Sequence, residues 1–264
     1  MTSHYDAVDA EGYEKLMGRF AGPLANAFLG FTGWPEGKEI LDVGCGTGGL
    51  AFALAGRGDN RRIVGIDPAE PYLRYAKDRN RDPRVSFELG DAESLPFADD
   101  SFDCAFAQHV LQFLDDPFPA VCEMRRVVRP GGMVAACLWD GFGGQPGLRM
   151  LWDTAAALGF DKDRTLFRPP LDREGAMEAM WHRAGFVDVM QGDITMRFSY
   201  ANFDDYWTPF LSGDAPAGQL VAGLPTAQRD VLAQHVRRQF LSGQPDGPRS
   251  FIGASFICKG IVPG

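Results

Sequence analysis

The chain has 264 residues, 45% of them hydrophobic and 23% charged, enough material in ordinary proportions for one sizeable core. Its 35 acidic residues outweigh 26 basic ones for a formal charge of -9, and no basic cluster longer than a pair offsets this, which disfavours nucleic acid as a partner. With no apolar run of about 18 residues and no cationic leader followed by an apolar stretch, neither a membrane span nor secretion is expected, and the expected location is cytoplasmic.

Five cysteines (Cys45, Cys104, Cys122, Cys137 and Cys258) are scattered without a C-x-x-C pair, as expected of reduced, buried thiols. His4, His109, His182 and His235 show no metal-ligand spacing, so no metal is expected.

From Tyr13, the apolar residues Leu16, Met17 and Phe20 recur at helical spacing, and the pattern resumes after Gly22-Pro23 with Leu24, Ala27 and Phe28. Two short helices are therefore predicted ahead of the first strand, within an N-terminal cap segment 1–34. Next comes Ile40-Leu41-Asp42-Val43, a buried-strand run, then a turn with four glycines in six positions (Gly44, Gly46, Gly48, Gly49), then a helical run 50–55. A turn of this kind lets backbone N–H groups approach a small ligand, because glycine has no Cβ and tolerates positive φ.

A second buried strand, Arg62–Asp67, ends in a carboxylate about 20 residues beyond the glycine turn, the spacing at which such folds reach a ribose diol. Pro68 stops it, and a helix follows over 71–79. A third strand over 84–89 runs into Gly90-Asp91-Ala92. A fourth over 102–107 ends at Gln108-His109. A helix from Pro117 buries Val121, Met124, Val127 and Val128, and the turn Arg129-Pro130-Gly131-Gly132 feeds a fifth strand over 133–139. Strands alternating with helices argue a parallel sheet.

Beyond residue 140 the pattern loosens. Helices are expected over 148–160 and 172–184, a sixth strand within 186–198, and a closing strand over 250–259. Between the last two lies a helical insertion, 199–248, with Tyr206, Trp207 and Phe210, a Gly/Pro/Ala-rich linker and a helix over 228–240.

Gly44, Gly46 and Gly49 match G-x-G-x-x-G, so an NAD-dependent oxidoreductase is one reading. The surrounding set points elsewhere: Asp42 before the turn, Asp67 ending the second strand, Gly90-Asp91-Ala92 after the third, Ser101-Phe102-Asp103 opening the fourth, and Arg129–Gly132 before the fifth. Together these resemble the class I S-adenosylmethionine-dependent methyltransferases, in the small-molecule branch that includes the ubiquinone and menaquinone enzymes, over about residues 39–138.

That resemblance implies an α/β, Rossmann-like fold: a seven-stranded, mostly parallel sheet with its last strand antiparallel and helices on both faces. The N-terminal helices and the insertion would cap the site as a lid over a cofactor core, 35–140, all in one methyltransferase domain. It also implies roles. Gly44, Cys45, Gly46 and Gly48 would pack on the methionine part of S-adenosylmethionine; Asp67, followed by Pro68, would bind the ribose; Asp91 and Ala92 the adenine edge. Gln108 would approach the methionine part, with Tyr13 and Arg19 as contacts to its carboxylate.

Asp42 either touches the ligand or hydrogen-bonds the glycine-turn amides, and Asp91 is equally a turn-former. A sulfonium methyl is already activated, so in-line positioning can supply about 7–11 kcal/mol of the barrier. A base is needed only when the acceptor loses a proton. His109 is the candidate for it, its bland alternative being a packing or capping histidine in a first helical turn. Trp139 and Phe142 would floor the acceptor pocket and Tyr206, Trp207 and Phe210 roof it, for a small organic acceptor. A non-catalytic cofactor-binding regulator is the remaining alternative.

Overall fold

A computed structural model describes residues 9–33, 39–57, 61–141, 144–160, 171 and 173–264. The expected position of Phe142 lies outside the described residues, as does the start of the N-terminal cap segment.

Seven strands form one sheet: β1 (Glu39–Val43), β2 (Arg62–Asp67), β3 (Val85–Leu89), β4 (Phe102–Gln108), β5 (Val128–Trp139), β6 (Val187–Tyr200) and β7 (Arg249–Ile261). Their order is β3-β2-β1-β4-β5-β7-β6. The first five pair in parallel, and β7 runs antiparallel to both its neighbours.

The apolar runs are continuous because both faces are covered, and the two-residue pleat sends alternate side chains into two separate cores. Ile40, Ile63, Phe87, Cys104 and Phe106 point to one. There they meet α2 (Arg19–Thr32), α3 (Gly49–Ala55) and α4 (Glu70–Arg79), through Phe28, Leu54 and Leu73. Leu41, Val43, Val64, Ile66 and Ala105 point to the other, against α5 (Phe118–Val127) and α7 (Ala176–Arg183).

The helix break expected at Gly22-Pro23 does not occur. The chain is helical from Ala10 to Thr32, through a short α1 (Ala10–Tyr13), a π-helical turn (Glu14–Gly18) and α2, with Pro23 inside α2. Proline forfeits one ladder bond there, but Phe20, Leu24, Ala25, Phe28 and Leu29 form one uninterrupted buried face, and that burial outweighs the loss. The turn expected over 129–132 is absorbed into β5: Gly131 sits at φ +80, its N–H donates to Val262 O, and the register with β4 shifts between Phe102 and Cys104. This is a bulge that lets β5 begin four residues before Gly132, at Val128.

β6 and β7 pair from Val187↔Ile261 to Tyr200↔Arg249, whereas β5 leaves the sheet at Trp139, opposite Ser255. The antiparallel pair therefore overshoots the carboxyl end of β5 and carries the insertion to the side of the glycine turn. The insertion holds α8 (Phe203–Trp207), α9 (Ala215–Gly223) and α10 (Thr226–Leu241), which build a third core with α6 (Pro146–Ala157) and Leu16. The stretch expected as a linker is helix α9.

Candidate functional site

The carboxyl ends of the parallel strands meet in a cavity of about 210 Å³. A crevice at this position is where open parallel sheets bind ligands, because loop residues from several strands converge there.

Its floor is the glycine turn. Gly44, Gly46 and Gly48 all have positive φ, at +66, +53 and +89. Gly44 and Cys45 donate their N–H groups to Ile66 O at 2.7 and 3.0 Å, which locks the turn onto β2. A Cβ at Gly44 would lie 2.3 Å from the Val110 side chain, and one at Gly48 would lie 2.7 Å from Phe52, so these two are required by packing. At Gly46 a Cβ would meet nothing within 4 Å; the residue lines the cavity.

Two carboxylates sit beneath the turn. Asp67 accepts from Gly46 N through Oδ2 and from Ala69 N through Oδ1, both at 2.8 Å. Burial pushes its pKa up to about 6 against the pull of those amides. Asp42 is buried, and the Ala51 N–H in the first turn of α3 donates to it. It is thus a cap supplied from β1 to α3, one step beyond the glycine-turn amides expected as its structural partners, of which the Gly46 amide goes to Asp67 instead. Burial, helped by the nearby charge of Asp67, holds its pKa at about 8, and its Oδ2 has no hydrogen-bond partner among the described residues. Cys45 turns its thiol into the core against Gly65, where burial raises its pKa well above the ordinary range.

Of the residues expected to hold a cofactor, Gly44, Gly46, Asp67, Pro68, Asp91, Ala92 and Gln108 line the cavity. Tyr13 closes it from α1. Asp91 Oδ1 accepts from Glu93 N at 2.9 Å, so it shapes its own turn while standing at the cavity wall. Gln108 Nε2 donates to Ala21 O at 3.2 Å, leaving its buried Oε1 without a partner among the described residues.

Gly48 packs behind the turn. Arg19 is not a cavity residue: it donates to Asp205 Oδ1 at 2.7 Å and lies over the Phe20 and Tyr200 rings at 4.8 and 5.1 Å, tying α2 to α8. Its sequence neighbourhood gave no sign of Asp205, a partner 186 residues away.

His109 and Trp139 stand together at the other end of the cavity, their ring centroids 3.6 Å apart. His109 does not open a helix. It follows β4 directly in the left-handed conformation, φ +59, with its N–H on Cys137 O. Its Nε2 is 3.0 Å from Ser255 Oγ on β7, and burial pushes its pKa down to about 3, so the imidazole is neutral at physiological pH. Gln112 Oε1 accepts from Trp139 N at 3.0 Å, fixing the strand end beneath it.

Tyr206, Trp207 and Phe210 are not brought to this cavity. They are buried in the third core, Tyr206 donating its hydroxyl to Gly147 O at 2.8 Å. Aromatic residues in an insertion that must bury its own face serve that core first. What the insertion contributes to the cavity is Ala215, at φ +57, next to Asp214. Asp214 is fully buried and accepts from the Tyr72 hydroxyl at 2.7 Å, while the Tyr72 ring lies 4.8 Å from that of Tyr13. This clasp between α4, α1 and the insertion was invisible in sequence, because Asp214 lies in an unpatterned Gly/Pro/Ala-rich stretch.

The charged side chains on the cavity wall are Asp67, Asp91 and Glu93; among the described residues no lysine or arginine lines it. A pyrophosphate would find no cation here. A ligand carrying positive charge, a sulfonium and an ammonium, would find carboxylates, the orphaned Gln108 oxygen and the open cradle at Gly46. The residues present fit S-adenosylmethionine.

Residues 41–136 match the family model described as a methyltransferase domain. An O-methyltransferase of Aspergillus nomiae is 32% identical over 164 residues, which cover 60% of this chain and 68% of that protein. The chain belongs to the class I S-adenosylmethionine-dependent methyltransferases. The 27-O-demethylrifamycin SV methyltransferase of Amycolatopsis mediterranei is 35% identical over 116 residues, 42% of each chain. Phosphoethanolamine N-methyltransferase 2 of Haemonchus contortus, solved with S-adenosyl-L-methionine, superposes with a TM-score of 0.57 at 17% identity, over 98% of this chain and 61% of that one, a likeness of fold. Three other curated relatives are matched over only 28, 37 and 55% of their length.

As in the family, the methyltransferase sheet here is seven-stranded with an antiparallel insertion of the last strand. No described helix is long and apolar enough to cross a membrane, and the described residues hold no cluster of metal-binding side chains.

Proposed function

We propose that this methyltransferase moves a methyl group from S-adenosylmethionine to an oxygen of a small organic acceptor. The observation that carries the reading is the cavity itself: an acidic wall with no lysine or arginine among the described residues, over a glycine cradle open at Gly46. The choice of oxygen is supported by the relatives named for O-methylation.

S-adenosylmethionine, when bound, supplies an activated methyl on a sulfonium. The chain's own residues do the holding. Asp67 has spent two acceptor positions on amides, and a carboxylate accepts about four hydrogen bonds, which leaves capacity for a ribose diol. On this reading Asp91 and Ala92, on the cavity wall, would read the adenine edge, and the unpaired Gln108 oxygen would take the cationic end. Tyr13 and the Tyr72–Asp214 clasp shut out water, which strengthens every charge interaction inside.

His109, neutral and tilted against the Trp139 ring, presents the acceptor end with an imidazole able to orient a hydroxyl, while the burial that lowers its pKa leaves it a weak base for the proton. Positioning supplies most of the rate, and His109 adds to it by orienting the acceptor.

The test is differential stabilisation. S-adenosylhomocysteine at about 100 times its Kd should stabilise the protein by about 2.7 kcal/mol, raising Tm by roughly 5–10 °C, while NADH leaves it unchanged. Transfer of labelled methyl groups into a panel of phenols, alcohols and carboxylic acids should then give product. A shift with NADH instead, or tight S-adenosylhomocysteine binding without transfer to any acceptor, rejects the reading.

A further inference from the structure

Behind the main cavity lies a second, smaller chamber of about 40 Å³. Met17 lines both, so one flexible thioether side chain is the shared wall. On its far side the chamber is walled by Phe198, Tyr200, Tyr206, Phe210 and Phe251, with no charged side chain among the described residues lining it. The Tyr206 hydroxyl is already committed to Gly147 O.

One polar group stands out. Gln145 lines the chamber, and its Nε2 is buried without a hydrogen-bond partner among the described residues. An unpaired buried amide donor is costly and needs a partner to relieve it. The chamber also adjoins the active end: Trp139, whose ring lies 3.6 Å from that of His109, is 5.6 Å by ring centroids from Phe198 of the chamber wall.

We propose that this chamber is the subsite for the body of the acceptor: an elongated, uncharged, apolar molecule that passes Met17 and offers a carbonyl-type oxygen to Gln145 Nε2, its reacting hydroxyl remaining beside His109. Methionine suits the gate, since its unbranched, polarisable side chain changes rotamer at little cost and packs well on rings. Small charged acceptors such as amines or phosphate esters gain nothing from the chamber, because desolvating their charge against aromatic rings finds no compensating group. The inference rests on the methyltransferase reading above, and places there the aromatic residues Tyr206 and Phe210 that do not reach the main cavity.

The test uses 4-n-alkylphenols from ethyl to hexyl as probes, binding to the whole protein saturated with S-adenosylhomocysteine and followed by tryptophan fluorescence. Affinity should rise about fourfold per methylene until the chamber is full, as burial of a CH₂ predicts. Filling the chamber from two sides, with Leu148→Phe on α6 and Ile252→Trp on β7, should bring the hexyl probe down to the affinity of the ethyl one. Ile252 is 57% exposed, so its replacement leaves the cores intact.

4-Butanoylphenol should bind about 2- to 10-fold tighter than 4-n-butylphenol, and Gln145→Leu should erase that preference while leaving the alkyl series unchanged. A flat alkyl series in the wild type, or a rise retained in both filled variants, overturns the proposal. So does the absence of a carbonyl preference in the wild type. S-adenosylhomocysteine affinity, titrated separately on the same proteins without probe, is the quantity on which the methyltransferase reading stands or falls.

Discussion

Replacing Gly46 separates the demands of the fold from those of the ligand. Its φ of +53 puts an L-residue in the left-handed region, at a cost of roughly 1–2 kcal/mol, and in the free protein that is the whole cost, since a Cβ meets nothing within 4 Å. Gly46→Ala should therefore fold, with Tm lowered by about 2–8 °C. With the cofactor's space invaded by one methyl, overpacking of about 1–3 kcal/mol should weaken S-adenosylhomocysteine roughly 5- to 150-fold. Gly46→Val, larger by two carbons, should abolish binding. Gly48→Ala makes the contrast: its Cβ would strike Phe52 at 2.7 Å and Phe87 at 2.9 Å, so it should lose more stability than Gly46→Ala. Isothermal titration with S-adenosylhomocysteine, beside thermal melts of all three variants, reads both quantities. A Gly46→Val protein that binds with wild-type affinity would refute the placement of the cofactor over this turn.

Three further outcomes are expected. The folded pKa of Asp42, about 8, lies above its ordinary value of 3.8, so the folded state keeps a proton that the unfolded state has lost, and stability should fall as pH rises between those values by up to about 1.4 kcal/mol per pH unit. Asp67 acts with the same sign only up to about pH 6, His109, lowered to about 3, acts with the opposite sign below its ordinary 6.5, and the buried cysteines, raised above their ordinary 9.0, act with the same sign only from about pH 8, so urea melts between pH 6.5 and 7.5 isolate Asp42; Asp42→Asn should flatten that range, and an unchanged slope dismisses the buried protonated carboxyl. Tyr72→Phe removes a partner of the fully buried Asp214 and should lower stability by about 1–3 kcal/mol, with no change in the urea midpoint counting against the clasp. If His109 takes the acceptor's proton, His109→Ala should reduce turnover by about 10²–10⁴ with S-adenosylhomocysteine affinity kept within about threefold; unchanged turnover ends that role.

Much of the parallel core was legible in the sequence for a physical reason: its signals are local. A strand buried on both faces must be apolar throughout, as in Ile40-Leu41 and Ile63-Val64, and a turn that needs positive φ or close approach must carry glycine, as Gly44, Gly46 and Gly48 do. Asp67 was placed by its position at the end of such a strand. Those residues sufficed to place the cavity, and the resemblance to the methyltransferases that they carry named its ligand class.

Helix α2 was not legible as one element, because local rules break it at Pro23 and only the face buried against β4 and β6 decides otherwise. Nor could α9 be seen in a stretch whose composition reads as linker. The conformation of His109 and its meeting with Trp139 and Ser255 depend on the neighbouring register of β4, β5 and β7.

The sequence by itself determined the cradle and the strand-end carboxylates, since each is a short-range pattern with one backbone solution, and through the family resemblance these carry it pointed to the cofactor. Only the tertiary structure decided what surrounds that cofactor. The salt bridge that removes Arg19 from the cavity, the Tyr72–Asp214 clasp and the burial of Tyr206 behind Met17 are contacts between residues far apart in the chain, and no local propensity encodes which of them will meet.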